Sequence, residues 1–164
     1  MAQPKTKTAL VIRKADTDDI PSLISLGREM AAEAPTFNML DFDDQKVVAL
    51  FNSPAMVEHG ACFIAEDKGE AIGMFCGVVV PHYFGHMLMA NDLCLFVTKS
   101  RRGGTAAYRL IKAVEAWALA HGAVSLRFGI STNVEPDRTL KLYEKLGYKL
   151  EGYQVNKYYT KETE

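Results

Sequence analysis

The stretch from Asn91 to His121, NDLCLFVTKSRRGGTAAYRLIKAVEAWALAH, holds the residues whose types and spacing point most directly to chemistry. Arg101 and Arg102 stand immediately before Gly103 and Gly104. Behind them Leu110, Ile111, Val114, Trp117 and Ala118 recur at spacings of three and four, the period of a helix with one apolar face. Ahead of them Asp92 to Val97 is a short apolar run of the kind that forms a buried strand. A strand that turns through glycines into a helix leaves the first-turn amide N–H groups unpaired and aimed into the loop, which makes an anion site. The glycines let the backbone approach a pyrophosphate, and the two guanidinium groups add charge that a helix N-terminus cannot supply alone. The ligand this predicts is a phosphorylated cofactor.

The arrangement Arg101-x-x-Gly104-x-Ala106 is neither a Walker loop nor a dinucleotide fingerprint. Two other groups of reactive side chains read more plainly. His82 and His86 are four apart in PHYFGH, but no third ligand follows at a sensible spacing, so no metal is expected. Cys62, Cys76 and Cys94 are odd in number, widely spaced and set in apolar runs, the pattern of reduced buried thiols.

The elements that must position these residues follow from periodicity and breakers. Residues 9–15 read as a strand, and Asp16 to Asp18 supply caps for a helix that Pro21 enters in its first turn and Ala34-Pro35 ends. A shorter helix is predicted within Asp43 to Phe51, closed by Pro54. Ala61 to Glu66 and Glu70 to Pro81 form an antiparallel hairpin around Asp67-Lys68-Gly69, and a connection over residues 82–91 leads to the Asp92 strand. Gly122 stops the long helix, after which Val124 to Ile130 should lie parallel to the Asp92 strand by a right-handed crossover. Ser131 to Arg138 reads as a polar turn, Thr139 to Leu146 as a helix ended by Gly147, and Tyr148 to Tyr159 as one or two further strands. Alternation puts Asp92, Cys94 and Phe96 on one face of their strand and Leu93, Leu95 and Val97 on the other, without telling which face meets a cleft.

The chain has 164 residues, 48% of them apolar and 24% charged, with a net charge of −1. These values suit one globular domain, expected over residues 9–160 behind a flexible stretch at 1–8, and give no electrostatic reason for nucleic acid or an anionic membrane as partner. No segment approaches the roughly 20 apolar residues of a membrane span, and the first eight residues lack the apolar core of a signal peptide, so a cytoplasmic location is expected.

The loop resembles the pyrophosphate loop of the GNAT acetyltransferase superfamily, R/Q-x-x-G-x-G/A, with Ala106 in the last small position. Leu142 to Tyr148, LYEKLGY, is similar to the LYEKLGF segment of the same superfamily, and the predicted order β-α-α-β-β-β-α-β-α-β is that of its fold. The runs DLCLFVTKSRRGG, AVEAWA and GISTNVEPDRTLKLYEKLGY also resemble GNAT proteins encoded in tailed phages and prophages. The resemblance implies an α/β fold: a mixed central sheet, antiparallel in its N-terminal part, with a parallel pair splayed around an acyl-CoA and helices on its flanks.

It also implies an N-acetyltransferase that moves an acetyl group from acetyl-CoA, as cosubstrate, to a primary amine on a small molecule or a protein. Leu95, Phe96 and Val97 would part from Phe128 to Ile130 and hold the pantetheine. Arg101, Arg102, Gly103, Gly104, Thr105, Ala106 and Ala107 would wrap the pyrophosphate. Asn133 would contact the cofactor, although its interval to Tyr143 is longer than the family's. Tyr143 is the expected general acid, since a phenol titrating at about 10 stays protonated beside a thiol at about 8.5. Asp92 is the expected base, unless the amine arrives neutral. Phe37, Phe42, Tyr83 and Phe84 suggest aromatic walls for the acceptor, with Tyr83, Phe84 and Phe37 as substrate contacts, and Asp41, Asp43 and Asp44 add negative charge there. The alternative is a non-catalytic CoA-binding or protein-interaction module on the same fold. The resemblance further makes a homodimer an expectation.

Overall fold

The computed structural model describes residues 10–159; the stretch expected to be flexible at 1–8, the first residue of the predicted first strand and the last of the predicted domain lie outside them. The described chain runs β1 (Val11–Lys14), α1 (Ile20–Glu33), α2 (Asp44–Phe51), α3 (Pro54–His59), β2 (Gly60–Asp67), β3 (Glu70–Pro81), β4 (Leu88–Val97), α4 (Ala106–Ala120), β5 (Ala123–Arg127) and α5 (Pro136–Lys145). The strands form one sheet in sequence order, β1-β2-β3-β4-β5, antiparallel except for the parallel pair β4–β5. Single-turn 3₁₀ helices precede α1 at Thr17–Asp19 and follow β4 at Lys99–Arg101.

Local chemistry accounts for most of these boundaries. The Asp16 carboxylate accepts from the Asp18 amide while Asp19 accepts from the Asp16 amide, a reciprocal cap that starts the first helical turn. Arg13 donates to both Asp19 oxygens at 2.6 and 2.8 Å and to Glu66 at 3.0 Å, tying β1, β2 and the cap together. At the β2–β3 turn Lys68 and Gly69 both have positive φ, 56° and 80°, the requirement of a tight two-residue hairpin.

The sheet has a helix layer on each face. Leu110, Ile111, Val114, Trp117 and Ala118 of α4 are all buried, and most of them pack on Ala61, Ala65, Ile72, Phe75, Val79 and Ala90. On the opposite face Leu23 and Leu26 of α1 and Met56 of α3 cover Cys62, Ile64, Met74 and Phe96. Each fully buried large side chain contributes about 1.5–3 kcal/mol of transfer free energy.

The elements depart from the sequence-based expectations at several places. β5 ends at Arg127 rather than Ile130, because its pairing with β4 stops there, and β1 covers only Val11–Lys14. Pro54 opens α3 rather than closing a stretch: it takes the first helical position behind a Ser53 cap, where its missing N–H has no partner to lose. Pro136 likewise opens α5. β4 begins at Leu88, because residues 88–91 pair with β3, so the β3–β4 connection is only residues 82–87. Residues 148–159 form no strand; from Lys149 onward every one is exposed, so the loosely alternating Tyr153, Val155 and Tyr159 gain no burial that would draw them onto the edge of β5.

The site depends on an irregularity in β4. Cys94 faces Cys76, but the next pair is Gly77 with Asp92, so Leu93 is an extra residue, a β-bulge. The bulge resets the alternation. Leu88 and Ala90 belong to the α4 side of the core, Cys94 and Phe96 to the α1 side, and Asp92 keeps the parity of Leu88 and Ala90 instead of sharing a face with Cys94. On its other edge β4 pairs with β5 only from Leu88 to Asn91, and beyond Arg127 the two chains part.

Gly77 fixes this geometry. A Cβ there would stand 2.4 Å from Phe75 Cζ and 2.7 Å from the Asn91 carbonyl oxygen, and Phe75 is fully buried with no room to yield. Gly77→Ala should therefore destabilise the chain by about 1–3 kcal/mol in chemical denaturation, whereas Gly85→Ala, in open space, should leave the midpoint unchanged.

Candidate active site

Where β4 and β5 separate, a cleft of about 520 Å³ opens. Its walls are Asp92 to Val97 of β4, the loop from Arg101 to Gly104, Ala107 and Tyr108 at the start of α4, residues 129–132 beyond β5, and Leu142 and Tyr143 of α5. Phe37 lines it from the loop after α1.

One end of the cleft is suited to an anion. Gly103 has φ +87°, a conformation that glycine takes without strain, and it turns the chain into α4. No side chain caps α4 and no acidic residue occupies its first turn, so the leading N–H groups and the positive end of the helix dipole are free for a ligand.

The two arginines expected to face a pyrophosphate are engaged elsewhere. Arg102 donates through Nε to the Val97 carbonyl at 2.9 Å and through its two terminal nitrogens to Glu33 at 2.6 and 2.5 Å, and its guanidinium lies 5.4 Å from the Phe96 ring centroid. That pairing draws the Glu33 carboxyl below the usual carboxylate range. Arg101 reaches back to the β2–β3 hairpin, to Asp67 at 2.7 Å and Glu70 at 3.3 Å. Both therefore hold the loop in place and neither is an unpaired cation.

The cation that faces the glycines was not singled out from sequence. Arg138 Nη2 lies 3.5 Å from where a Cβ on Gly103 would be, and the exposed Arg138 side chain is held by Glu135 at 3.2 and 3.3 Å. Lys141, one turn further along α5, also lines the cleft. The sequence signal was present in PDRTLK, a basic pair at helical spacing, but only the folded chain puts α5 across from the glycine loop.

At the other end, Asp92 accepts a hydrogen bond from the Gly129 amide at 3.0 Å, bridging the gap between the parted strands. Loss of hydration pushes the Asp92 carboxyl up to about 6, against the opposing effect of that amide. Tyr143 is buried, its ring stacked on Phe128 with centroids 5.0 Å apart. Burial first, and then the charge on Asp92, raise its phenol above the ordinary tyrosine range. The arrangement places a carboxylate titrating near neutrality beside a phenol that stays protonated.

Of the residues predicted for the site, the structure brings Asp92, Leu95, Phe96, Val97, Arg101, Arg102, Gly103, Gly104, Ala107, Tyr143 and Phe37 to the cleft. Ala106 is buried in the core on the far side of its helix turn, and Thr105 is exposed outside the lining. Asn133 has φ 57° in the loop before α5 and also stands outside the lining; asparagine there satisfies a left-handed backbone. Tyr83 and Phe84 are 79% and 87% exposed at the tip of the β3–β4 loop, where they meet edge to face and Tyr83 stacks on His82. That loop joins β4 at its paired end, whereas the cleft opens at the other, so these two aromatics form no wall of it. Phe42 packs on Gly27 and Arg28 of α1, Asp43 caps α2 and Asp44 pairs with Arg28 at 2.7 Å, which spends the charge expected at an acceptor mouth. Among the described residues no group of three or more His, Cys, Asp or Glu is arranged to hold a metal ion, and no helix is long and apolar enough to cross a membrane.

A consequence for stability follows from Asp92. Its folded value lies above the ordinary 3.8, so the folded chain holds this proton more tightly and loses stability as pH rises from about 4 to about 6. Asp92→Asn keeps an oxygen for the Gly129 amide and removes the penalty. In urea titrations the variant should match the parent at the acid end of that window and exceed it above the window by on the order of 1 kcal/mol, allowing for water's partial access. A gap that does not change with pH would mean that the carboxylate is freely solvated.

Residues 26–148 match the family model described as the acetyltransferase (GNAT) family. No curated protein sequence matches the chain. Among solved structures, AAC(6')-Iy in complex with the bisubstrate analogue CoA-S-monomethyl-acetylneamine has a TM-score of 0.74 at 21% identity, with 94% of this chain and 99% of that one covered. An aminoglycoside acetyltransferase, HMB0005, from an uncultured soil metagenomic sample gives 0.72 at 17% identity, covering 93% and 99%. A ribosomal-protein-alanine N-acetyltransferase from Brucella melitensis biovar Abortus 2308 gives 0.71 at 17%, covering 92% and 99%. At these identities the likeness is one of fold.

Proposed function

The chain belongs to the acetyltransferase (GNAT) family, and from that membership we propose that it moves an acetyl group from acetyl-CoA to a primary amine by direct transfer. The observation that carries the reading is that one cleft holds uncapped helix amides with Gly103 at one end and Asp92 with Tyr143 at the other, joined by the C-terminal half of β4.

Acetyl-CoA, when bound, supplies the activated thioester. In this reading the amides from Gly103 to Ala107 take its pyrophosphate, and Arg138, whose pair with Glu135 is solvent-exposed and readily exchanged, supplies the countercharge, whereas the more buried pairs of Arg101 and Arg102 hold those two away. The backbone groups of Leu95, Phe96 and Val97 on the edge that β5 has left take the amide-bearing arm, and an N–H near Val97 polarises the thioester carbonyl. Asp92, ionised in most molecules at neutral pH, removes the proton from the amine as the C–N bond forms. Tyr143 donates its proton to the sulfur as the C–S bond breaks, and solvent restores both groups. Phe37 borders the acceptor end. Solved relatives by fold include enzymes named for aminoglycosides and for ribosomal-protein alanine, so an aminoglycoside and an alanine-terminated peptide are the first acceptors to offer.

Calorimetric titration with acetyl-CoA should show saturable binding that Arg138→Ala weakens by about tenfold, the loss of about 1.4 kcal/mol. With an acceptor, kcat/KM should rise with pH through about 6 and lose that limb in Asp92→Asn, while Tyr143→Phe lowers kcat by about 10²–10⁴-fold. No heat with acetyl-CoA would overturn the cofactor assignment. Binding without transfer to any amine would point instead to a non-catalytic CoA-binding module.

A further inference from the structure

The three cysteines, far apart in sequence, form one row in the sheet. Cys62 of β2 is paired directly with Cys76 of β3, and Cys76 is paired directly with Cys94 of β4. All three belong to the same face, the one covered by α1 and α3. They differ in access. Cys62 is buried, Cys76 is half-buried in the middle, and Cys94 is half-buried and lines the cleft. All three are free thiols.

Residues directly opposite in an antiparallel pair have Cα atoms about 4.5–5.5 Å apart and side chains on one face. A disulfide needs Cα atoms about 4.4–6.8 Å apart. Cys76 and Cys94 meet this requirement by register, and Cys94 is the first residue of β4 after the bulge at Leu93, where the pairing is looser. The register places Cys76 between the other two, directly opposite each. Hydrogen bonding from Cys76 favours the Cys94 thiolate and draws that thiol below its usual range, while the Cys76 thiol is held well above. The accessible member of the pair is thus the better nucleophile, and the one behind it stays protonated until Cys94 has reacted.

We propose that Cys94 and Cys76 form a dithiol site in the wall of the cleft that reacts with small-molecule disulfides. Cys94, as thiolate, attacks one sulfur of R–S–S–R; the Cys94–S–S–R bond forms, the R–S–S–R bond breaks, and the departing RS⁻ takes up the proton that Cys94 gave up. Cys76 then attacks the Cys94 sulfur, the Cys76–Cys94 bond forms, and the second RSH leaves with the Cys76 proton. Two protein thiols are oxidised, one small disulfide is reduced to two thiols, and no other reactant is required. The mixed disulfide holds the RS group in the cleft, where it excludes any ligand that passes along β4. The site stands whether or not the cleft takes acetyl-CoA.

The native full chain is incubated with oxidised glutathione, remaining thiols are blocked with N-ethylmaleimide, and the product is read by intact mass and by chymotryptic mapping. Chymotrypsin is needed because no Lys or Arg lies between residues 69 and 98. The parent should lose two hydrogens, retain one alkylatable thiol at Cys62, and yield a Cys76–Cys94 linked peptide. Cys76→Ser should stop at one glutathione on Cys94, and Cys62→Ser should still form the link. The parent's own map decides the matter even where a variant fails to fold. Three alkylated thiols in the native parent, when the urea-unfolded chain is oxidised by the same reagent, overturn the proposal, and so does a Cys62–Cys76 link.

Discussion

The separation of β4 from β5 is the constraint on which the rest of the site depends. Four residue pairs hold the parallel strands together from Leu88 to Asn91, and then pairing stops. The antiparallel partner on the other side continues to Val97, so β4 is anchored along one edge while the opposite edge is released. The bulge at Leu93 falls where the release begins. Unpaired backbone groups are tolerated in a cleft because a ligand or water can satisfy them, and they would be costly in a closed sheet. Asp92 spans the gap through the Gly129 amide, so the carboxylate is itself part of what keeps the two segments at their spacing.

The ends of the cleft are positioned by different means. The glycine loop is held from behind by ion pairs that reach α1 and the β2–β3 hairpin, and its ligand-facing surface is left to backbone amides. The reacting end is built from packing: Tyr143 is fixed between Phe128 and Tyr148, and the Tyr148 hydroxyl donates to Glu115 of α4 at 3.0 Å. A rigid aromatic stack and a raised carboxyl are consequences of the same burial. Desolvation is what raises the Asp92 carboxyl to about 6, and the same desolvation costs stability once the group ionises.

Much of this was legible in the sequence where local rules decide the outcome. The α4 face, the Lys68-Gly69 turn, the parallel crossover and the glycine turn into α4 all follow from periodicity, glycine placement and chirality acting within a few residues. The failures have a common origin in information that is not local. The bulge at Leu93 leaves no composition mark, so simple alternation assigned Asp92 to the face of Cys94. Arg101 and Arg102 are basic and next to glycines, which says nothing of Glu33, Asp67 and Glu70 arriving from other elements to occupy them. Arg138 was overlooked because its significance is its place across the cleft. Tyr83 and Phe84 lie near β4 in sequence, but the direction of the strand carries them to the end opposite the cleft.

The ion pair between Arg102 and Glu33 has a consequence for how the chain can vary. The guanidinium makes a bidentate contact, a third hydrogen bond to the Val97 carbonyl and a stacking contact with Phe96, a combination that a lysine ammonium cannot reproduce. Loss of either partner alone leaves a largely buried charge uncompensated at the hinge between β4 and the glycine loop. Positions 33 and 102, 69 residues apart, are therefore energetically coupled, so that removing both partners costs less than the sum of removing each alone.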